Sequence, residues 1–477
     1  MKRFISLALI FALLMTFALC FAACAGGDDK PGISDTTAAD GGGDTAATSV
    51  TEIEITLEVP ESLDYEGADF TVLACDEDVP YTYFEFVEEQ DGDIMNDAVY
   101  ERNRLAEEYL NVKIGVKNVK GIDTYQPVSA VVQAGDSDYD MVSPHLLKSI
   151  SELVATGYVL DLGKVGHLNF SAPWWNSSFT DSLSIKGRLF FASGDMIVPN
   201  VRVIVFNKLL LEAAGLGGIY DDVGGGKWTL DRLGEYTKDA IADTDGDGVI
   251  GENDRHAFAD LANTGLVTSA INGCGEMFVR SDGDSYILTL DSPKMVSITE
   301  KLYNYLYRDG DTKITNNHFM NGNVYFGCQV LLKLQGLRAS DVDFGIIPFP
   351  MYDESQGEYY STVWNTLVCI PVCAKDADMS GAVMETLAYY SASTLMPAYY
   401  DALLDSKFAR DTNSLRMLDI IFDGLVYDMG LYFDNFMGYY SSVGTLLKNK
   451  DTNLASHFAA NEPKYRAHYD EIFDSVK

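Results

Sequence analysis

Positive charge is scarce in this sequence. Its 477 residues include 71 Asp and Glu against 34 Lys and Arg, which gives a formal net charge of −37. A chain this acidic is repelled by the phosphates of nucleic acids and by anionic membrane surfaces, and no basic patch offsets the repulsion. Nucleic acid is therefore excluded as an expected partner, and solubility outside a cell is favoured.

The motifs of common catalytic centres are also missing. The six histidines form no His-x-x-x-His pair and no cysteine cluster accompanies them, so a catalytic zinc ion would lack its ligands. The sequence contains neither a G-x-S-x-G nucleophile elbow nor a Walker loop. A glycosidase needs only two carboxylic acids, which leaves that class open, although no pair stands out. We expect a binding protein with no catalytic residues.

Cysteine is too sparse for a disulfide framework. Apart from Cys20 and Cys24 near the N-terminus, five cysteines remain, and an odd number cannot pair completely. Cys369 and Cys373 lie in a strand-like run that would hold them roughly 13 Å apart. That separation is too long for a disulfide, so buried thiols are predicted.

The N-terminus carries the pattern of a secretory signal. Lys2 and Arg3 precede an apolar run over residues 4–23, and small residues stand before Cys24. About 20 apolar residues could also span a bilayer once, but the small residues followed by cysteine favour cleavage. The run resembles a bacterial lipoprotein signal, with phenylalanine at position 21 where leucine is usual, and the resemblance implies that Cys24 carries a lipid anchor.

We therefore predict a signal peptide over residues 1–23 and a flexible tether over residues 24–51. The tether is mostly Gly, Asp, Thr, Ala and Ser, so it cannot bury enough apolar surface to fold. The expected location is the outer face of the bacterial cytoplasmic membrane, with the lipid as the only membrane contact.

The folded part begins with alternating strands and helices. Apolar runs predict strands over residues 70–74, 112–116 and 139–143, separated by helices over residues 94–110 and up to about 135. This order predicts parallel βαβ units and an α/β fold. Ligands of such sheets lie beyond the carboxyl ends of the strands, which makes Asp76 and His145 candidate binding residues.

Residues 243–254 have the ligand order of a calcium loop. Asp243, Asp245 and Asp247 occupy positions 1, 3 and 5, the backbone carbonyl of Val249 is at position 7, and Asp254 is at position 12. Ca²⁺ prefers six to eight oxygen ligands, which alternate aspartates can supply. The loop predicts a structural Ca²⁺ site. Asp and Gly also form ordinary solvated turns, and residues 255–259 resemble a strand rather than the second helix of an EF-hand.

Several segments occur in the order of a known family. They are "PWWN" from residue 173, "IKGRLFF" from 185, "VIVFNKLLLEAAGL" from 203, "GKWTLDRLGEYTKDAI" from 226, "DTDGDGVIG" from 243 and "DFGIIPFP" from 343. Together they resemble the maltose-binding-like extracellular solute-binding proteins of ABC importers. The resemblance covers most of residues 65–475.

This resemblance implies a two-lobe periplasmic-binding-protein-like fold with discontinuous lobes joined by a hinge. The N-terminal lobe would comprise residues 52–200 and 368–410, and the C-terminal lobe residues 201–367 and 411–477. The chain would cross between them near residues 200–203 and 363–371. The implied partners are a small solute and an ABC transporter permease, and a monomer is expected.

Aromatic side chains are the strongest candidates for solute binding, because sugars present flat apolar faces edged with hydroxyls. Trp174 and Trp175 are adjacent, and Trp364 lies just before the second crossover. Tyr439 and Tyr440 match a region where the family places a stacking aromatic. Trp228, which precedes a helix, is better explained as core.

Two alternatives to a solute-binding function remain. They are a secreted carbohydrate-active enzyme and a surface binding module stabilised by calcium.

Overall fold

The computed structural model describes residues 56–75, 87, 89–259, 264–307, 314–315, 319–334, 341–404 and 412–477. Residues 57–477 form one compact unit. Cys24 and Asp76 lie outside the described residues. Within the described part of the chain, no helix is both long enough and apolar enough to cross a membrane.

The first half of the chain builds a parallel three-stranded sheet in the order β2-β1-β3. Its elements are β1 (Ala68–Ala74), α1 (Ile94–Leu110), β2 (Val112–Asn118), α2 (Tyr125–Ala134), β3 (Met141–Ser143), α3 (Ile150–Ala155) and α4 (Ser177–Leu183). The predicted βαβ units are confirmed, and α1 has the predicted bounds. Asp93 caps α1 by accepting from the backbone N–H groups of residues 95 and 96, and Asn111 ends it in the left-handed conformation.

Residues from much later in the chain complete the core of this sheet. Phe70 and Val72 of β1 and Leu110 of α1 belong to the same buried cluster as Val368 and Ile370. The cluster also includes the inner face of α10 (Ala377–Ser393), which packs against α1 together with α11 (Leu395–Leu404). The first core therefore depends on a segment that returns to it after about 170 intervening residues.

The second sheet is mixed and has the strand order β10-β4-β9-β5-β8. Its elements and their neighbours are β4 (Arg202–Asn207), α5 (Lys208–Ala213), α6 (Ile219–Gly224), α7 (Leu230–Thr237), β5 (His256–Ala259), α8 (Thr264–Gly273), β6 (Val279–Asp282), β7 (Ser285–Leu288), α9 (Pro293–Leu302), β8 (Ile314–Thr315), β9 (Val324–Val330) and β10 (Phe344–Ile347). β4 is antiparallel to both β9 and β10, whereas β5 is parallel to β8 and β9.

From residue 379 the sequence predicts mostly helices, over residues 382–391, 399–404, 414–423 and 442–448, and the C-terminal elements are mostly helical. They are β11 (Ser361–Thr362), α12 (Thr412–Asp423), β12 (Leu425–Val426), α13 (Met429–Tyr432), α14 (Ser442–Lys448) and α15 (Leu454–Ser475). The five cysteines of the folded part are buried thiols that form no disulfide, which confirms that prediction. Trp228 is fully buried and donates from its indole to the carbonyl of Pro348, as expected of a core residue.

Candidate functional site

Two extended segments lie side by side where the chain passes between the three-stranded sheet and the five-stranded sheet. The backbone N–H of Trp364 donates to the carbonyl of Asn200 at 2.8 Å, and Val201 forms an antiparallel bridge with Val363. The Asn365 side chain accepts from the N–H of Asn200 at 2.8 Å. These bonds fix the two segments to each other.

The second of these segments then reaches the first sheet. The backbones of Cys369 and Val142 exchange two hydrogen bonds of 2.9 Å, so the segment pairs antiparallel with β3. Further bridges join Val368 to Ala192 and Pro371 to Val159. Residues 363–371 are therefore bonded to the start of β4 at one end and to β3 at the other.

At these paired segments, three side chains form a cluster, which we call the crossover cluster. The guanidinium carbon of Arg202 lies 4.6 Å from the ring centroid of Trp364, within cation–π range. The ring of Tyr440 meets Trp364 edge to face, with centroids 6.1 Å apart. Arg202 and Trp364 are nearly buried, whereas Tyr440 is partly exposed. The cluster places a cation and two aromatic rings at the junction of the sheets.

Helix α8 contacts two members of the crossover cluster. A Cβ atom at Gly265 would lie 2.5 Å from the guanidinium carbon of Arg202, so only glycine allows so close an approach. Three residues later, the Thr268 hydroxyl donates to the carbonyl of Tyr440 at 3.4 Å. The first turns of α8 therefore hold both the arginine and the tyrosine in place.

Buried hydroxyls with unused hydrogen-bonding capacity occur in the segments around this cluster. Within the described residues, the side-chain oxygens of Ser143, Ser269 and Thr366 have no hydrogen-bond partner. Ser143 ends β3, Ser269 follows Thr268 in α8, and Thr366 lies in the crossover. An unsatisfied buried hydroxyl costs about 1–3 kcal/mol. The crossover cluster itself, with one cation and two aromatic rings, suits non-covalent recognition of a polar ligand.

Of the two loop residues predicted beside the first sheet, only His145 lies in the described part of the chain. It is 4% exposed, and its Nδ1 accepts from the backbone N–H of Leu147 at 3.1 Å. The carbonyl of Pro144 accepts from the N–H of Leu367 at 3.4 Å, so this loop contacts the second crossover. The proposed ligand contacts of Asp76 and His145 stay predictions.

Trp174 and Trp175 lie in the core of the first sheet. Their indole N–H groups donate to the two carboxylate oxygens of Glu385 in α10, each at 2.8 Å. The N–H of Asn169 donates to the same carboxylate at 3.1 Å. Burial raises the pKa of Glu385, and these N–H groups oppose the shift by favouring the charged form. Both tryptophans are 3% exposed, and their role as ligand contacts stays a prediction.

Tyr439 and Tyr440 point in different directions. The Tyr439 hydroxyl accepts from the backbone N–H groups of Thr289 and Leu290, and its ring is fully buried. Asp434 fixes the loop by accepting from the N–H groups of both tyrosines. Of the two predicted contacts, the structure therefore brings Tyr440 to Trp364 and places Tyr439 in the core.

Arg202 is the member of the cluster that sequence reasoning missed. It opens a buried strand, β4, at the predicted first crossover, and the next four residues of the strand are apolar. A charged residue at the entrance of such a strand is the local signal that could have drawn attention to it. Its partner Trp364 lies 162 residues away, and no sequence spacing links the two.

The acidic loop brings four carboxylates together, as its spacing predicts. One oxygen from each of Asp243, Asp245, Asp247 and Asp254 lies within 4.8 Å of the others. Asp254 is buried and also accepts from backbone N–H groups of the loop, whereas the other three are exposed. An all-oxygen donor set of this kind fits a hard cation such as Ca²⁺. Val249, whose carbonyl is the predicted fifth ligand, has a side chain 66% exposed.

The surroundings of the loop differ from an EF-hand. The sequence from Thr229 onward predicts a helix that runs into the loop. The helix that forms, α7, is capped by Thr229 but ends at Thr237, six residues before the loop. A strand, β5, follows the loop, as expected from residues 255–259. Two backbone hydrogen bonds between Ala242 and Arg255 close its neck. The loop is held by a β-bridge instead of by two helices.

No family model matches the chain, and no curated protein matches its sequence. Solved structures are similar to it. The galacto-N-biose-/lacto-N-biose I-binding protein of an ABC transporter from Bifidobacterium longum, in complex with lacto-N-biose, is 12% identical, with coverage of 86% of this chain and 98% of its own and a TM-score of 0.56. The maltose-bound MalE3 of T. maritima is 14% identical, with coverage of 84% and 100% and a TM-score of 0.51. The GacH receptor of Streptomyces glaucescens, studied with acarbose, is 12% identical, with coverage of 85% and 99% and a TM-score of 0.52.

Similarity at this identity shows the fold. These neighbours are two-lobe binding proteins, and the chain shares their α/β architecture over most of its length. The predicted fold class is confirmed. The residue bounds of the two lobes stay a prediction.

Proposed function

We propose that this protein is a lipid-anchored extracellular solute-binding protein. It captures a small solute, a sugar or oligosaccharide, and delivers it to the permease of an ABC transporter. The observation that carries the proposal is the crossover cluster of Arg202, Trp364 and Tyr440 at the junction of a two-lobe fold. Three proteins of similar fold are described with lacto-N-biose, maltose or acarbose, which supports a sugar as the solute.

The chemistry of the crossover cluster suits a sugar. An aromatic ring can pack against the flat apolar face of a pyranose, while a guanidinium group donates several hydrogen bonds to hydroxyl oxygens. Capture requires no bond to form or break, so no residue is assigned a catalytic role.

Closure of the two lobes would couple binding to transport. The paired segments at residues 200–203 and 363–371 provide the hinge strip. A solute shifts the molecule towards the closed form only by its preference for that form over the open one. The closed form would then be the one that engages the permease.

The test is thermal unfolding of the purified protein with monosaccharides, oligosaccharides, amino acids and peptides. A solute at a hundred times its Kd should stabilise the native state by about 2.7 kcal/mol. A Tyr440→Ala variant should lose most of that stabilisation, because Tyr440 is the partly exposed ring of the cluster. Stabilisation by peptides alone would contradict a sugar solute, and glycan products after long incubation would favour a secreted enzyme.

The lipid anchor and the location rest on the N-terminal sequence. The proposal places Cys24 at the start of the mature chain, on the outer face of the cytoplasmic membrane. Metabolic labelling with a radioactive fatty acid should mark the protein, and Cys24→Ser should abolish the label. A Cys24→Ser protein that is labelled and retained in the membrane like the unchanged chain would overturn this part of the proposal.

We further propose that the 243–254 loop binds Ca²⁺, which would stabilise the fold of the loop. Four carboxylates of the loop lie close together, and the backbones of Ala242 and Arg255 pair at its two ends, which supports this proposal. Ca²⁺ should raise the melting temperature, and Asp245→Asn should remove the increase without lowering the melting temperature in chelator. An unchanged melting temperature with Ca²⁺ and no copurified metal would contradict the site. The loop then would be an ordinary acidic turn.

A further inference from the structure

A cavity lies between elements that are far apart in the folded chain. Its volume is about 290 Å³. It is lined by the start of α2, one face of α3, the loop before α14, and α15: Tyr125, Ser151, Glu152, Ala155, Thr156, Asn435, His468, Glu471 and Ile472. We call it the α3–α15 pocket. It shares no residue with the crossover cluster.

Two buried polar atoms of this pocket have unused hydrogen-bonding capacity. Ser151 is 2% exposed, and within the described residues its Oγ has no partner. The side-chain oxygen of Asn435 is likewise buried without a partner in the part of the chain that the structure describes. Because leaving such groups unsatisfied costs about 1–3 kcal/mol each, a ligand that bonds to both would recover that free energy.

Other polar groups of the pocket are fixed by contacts outside it. His468 donates from Nε2 to the carbonyl of Phe433 at 2.6 Å, which leaves Nδ1 as an acceptor in the neutral ring. The Glu152 carboxylate receives two contacts of 2.7 Å from Lys148. Glu471 adds an exposed carboxylate at the rim. Because two carboxylates line the pocket, a ligand that brings hydroxyl hydrogens is favoured over an anion.

The loop at the pocket's edge holds an aromatic ring in solvent. Asn435 and Phe436 have consecutive positive φ angles of 45° and 58°, and Phe436 is 60% exposed. A bulky residue in the left-handed region is strained, and such strain persists only where the surroundings enforce it. Asp434 enforces it here by accepting from the N–H groups of Gly438 and Tyr439 at 2.8 and 2.7 Å. These bonds hold the backbone of the loop, and with it Asn435, in one conformation beside the pocket.

We propose that the α3–α15 pocket is a second binding site, for a single hydroxylated ring of monosaccharide size. Its volume lies at the lower end of the roughly 300–1,000 Å³ typical of small-molecule sites, so it suits one ring rather than an oligosaccharide. Ser151, Asn435 and His468 supply hydrogen-bonding groups. The site does not depend on whether the crossover cluster binds the transported solute.

The test uses saturation-transfer NMR of the full chain with glucose, galactose and mannose, and with glucuronate as the anionic comparison. Ala155→Phe fills the pocket from a partly exposed position and should weaken the monosaccharide affinity, obtained by titrating the transfer signal, about tenfold, equivalent to about 1.4 kcal/mol. Ala213→Phe, the same change at an exposed position of α5, is the matched control and should leave the signal unchanged. Asn435→Gly keeps the left-handed backbone, removes the oxygen, and should weaken the signal less than Ala155→Phe does.

A Tyr440→Ala variant separates this inference from the proposed function. If the pocket binds a monosaccharide, the signal should survive Tyr440→Ala, and adding Ala155→Phe to that variant should weaken binding about tenfold. A signal that survives Ala155→Phe and disappears in Tyr440→Ala would overturn the pocket while supporting the crossover cluster. The absence of any monosaccharide signal in the unchanged protein would also overturn it, as would equally strong binding of glucuronate.

Discussion

Two tryptophan sites of this molecule are equally buried but are held in different ways. Trp174 and Trp175 lie in the core of the first sheet, where Glu385 accepts from both indoles. Trp364 lies on the crossover, between the guanidinium of Arg202 and the ring edge of Tyr440. Each of the three tryptophans is 3% exposed. Exposure therefore does not distinguish a structural tryptophan from a candidate ligand contact, whereas its bonding partners do.

The two sets of contacts differ in how tightly they hold the tryptophan side chains. The two indoles and the N–H of Asn169 all donate to the Glu385 carboxylate within one core. Moving any of them would leave a buried charge with fewer hydrogen-bond donors in an apolar environment. Trp364 is held by ring and cation contacts beside a strip that joins two sheets. Such contacts are less directional than charged hydrogen bonds, so Trp364 is better able to adjust to a ligand.

The largest effect is expected from Glu385→Ala. It leaves two buried indole N–H groups without their acceptor and should lower the free energy of unfolding by about 3 kcal/mol or more. Urea unfolding measures this loss. Glu385→Gln is the matched control, because it keeps one oxygen acceptor and should cost less. A loss below about 1 kcal/mol for Glu385→Ala would show that the tryptophan pair does not depend on this carboxylate.

A smaller effect, on affinity instead of stability, is expected from Trp364→Phe. It reduces the aromatic surface of the crossover cluster and should weaken binding of the solute found by thermal unfolding about tenfold, or about 1.4 kcal/mol. Isothermal titration calorimetry measures the affinity. Trp175→Phe is the matched control and should lower stability with little change in affinity. If Trp364→Phe lowers stability and Trp175→Phe weakens binding instead, the distinction between the two tryptophan sites is wrong.

The sequence predicted local structure well where one segment carries its own signals. Helix α1 has its predicted bounds because Asp93 caps it and its apolar spacing is regular. The strand β5 after the acidic loop was also predicted. Helix α15 was not among the predicted helices. It contains Pro463 in its interior, and proline in such a position normally ends or kinks a helix.

The candidate site was only partly predictable, because its contacts join distant parts of the chain. Trp364 and Tyr440 were predicted separately, but their contact and the stacking of Arg202 depend on how the crossovers pair. Glu385 gave no sequence signal beyond its place in a helix. Its role arises only when Trp174 and Trp175 approach it from about 210 residues earlier in the chain.

The smallest expected effect is the pH dependence contributed by Glu385. Burial raises its pKa in the folded protein above the ordinary glutamate value, so the native state binds its proton at a higher pH than the unfolded state does. The stability that this linkage contributes is fully present below the unfolded pKa and is lost as pH rises through the folded pKa. Glu385→Gln should therefore show a weaker stabilisation than the unchanged protein on acidification from neutral pH.

Thermal unfolding of both proteins from neutral to mildly acidic pH checks this difference. Buried Asp428, whose pKa burial raises to about 6, adds a dependence of the same sign to both proteins, so only the difference between them reports Glu385. Parallel curves would mean that the indole and backbone N–H groups offset the burial of this carboxylate completely. The tryptophan pair would then be held by a carboxylate with an ordinary pKa, and the contrast with Trp364 would rest on hydrogen-bond geometry alone.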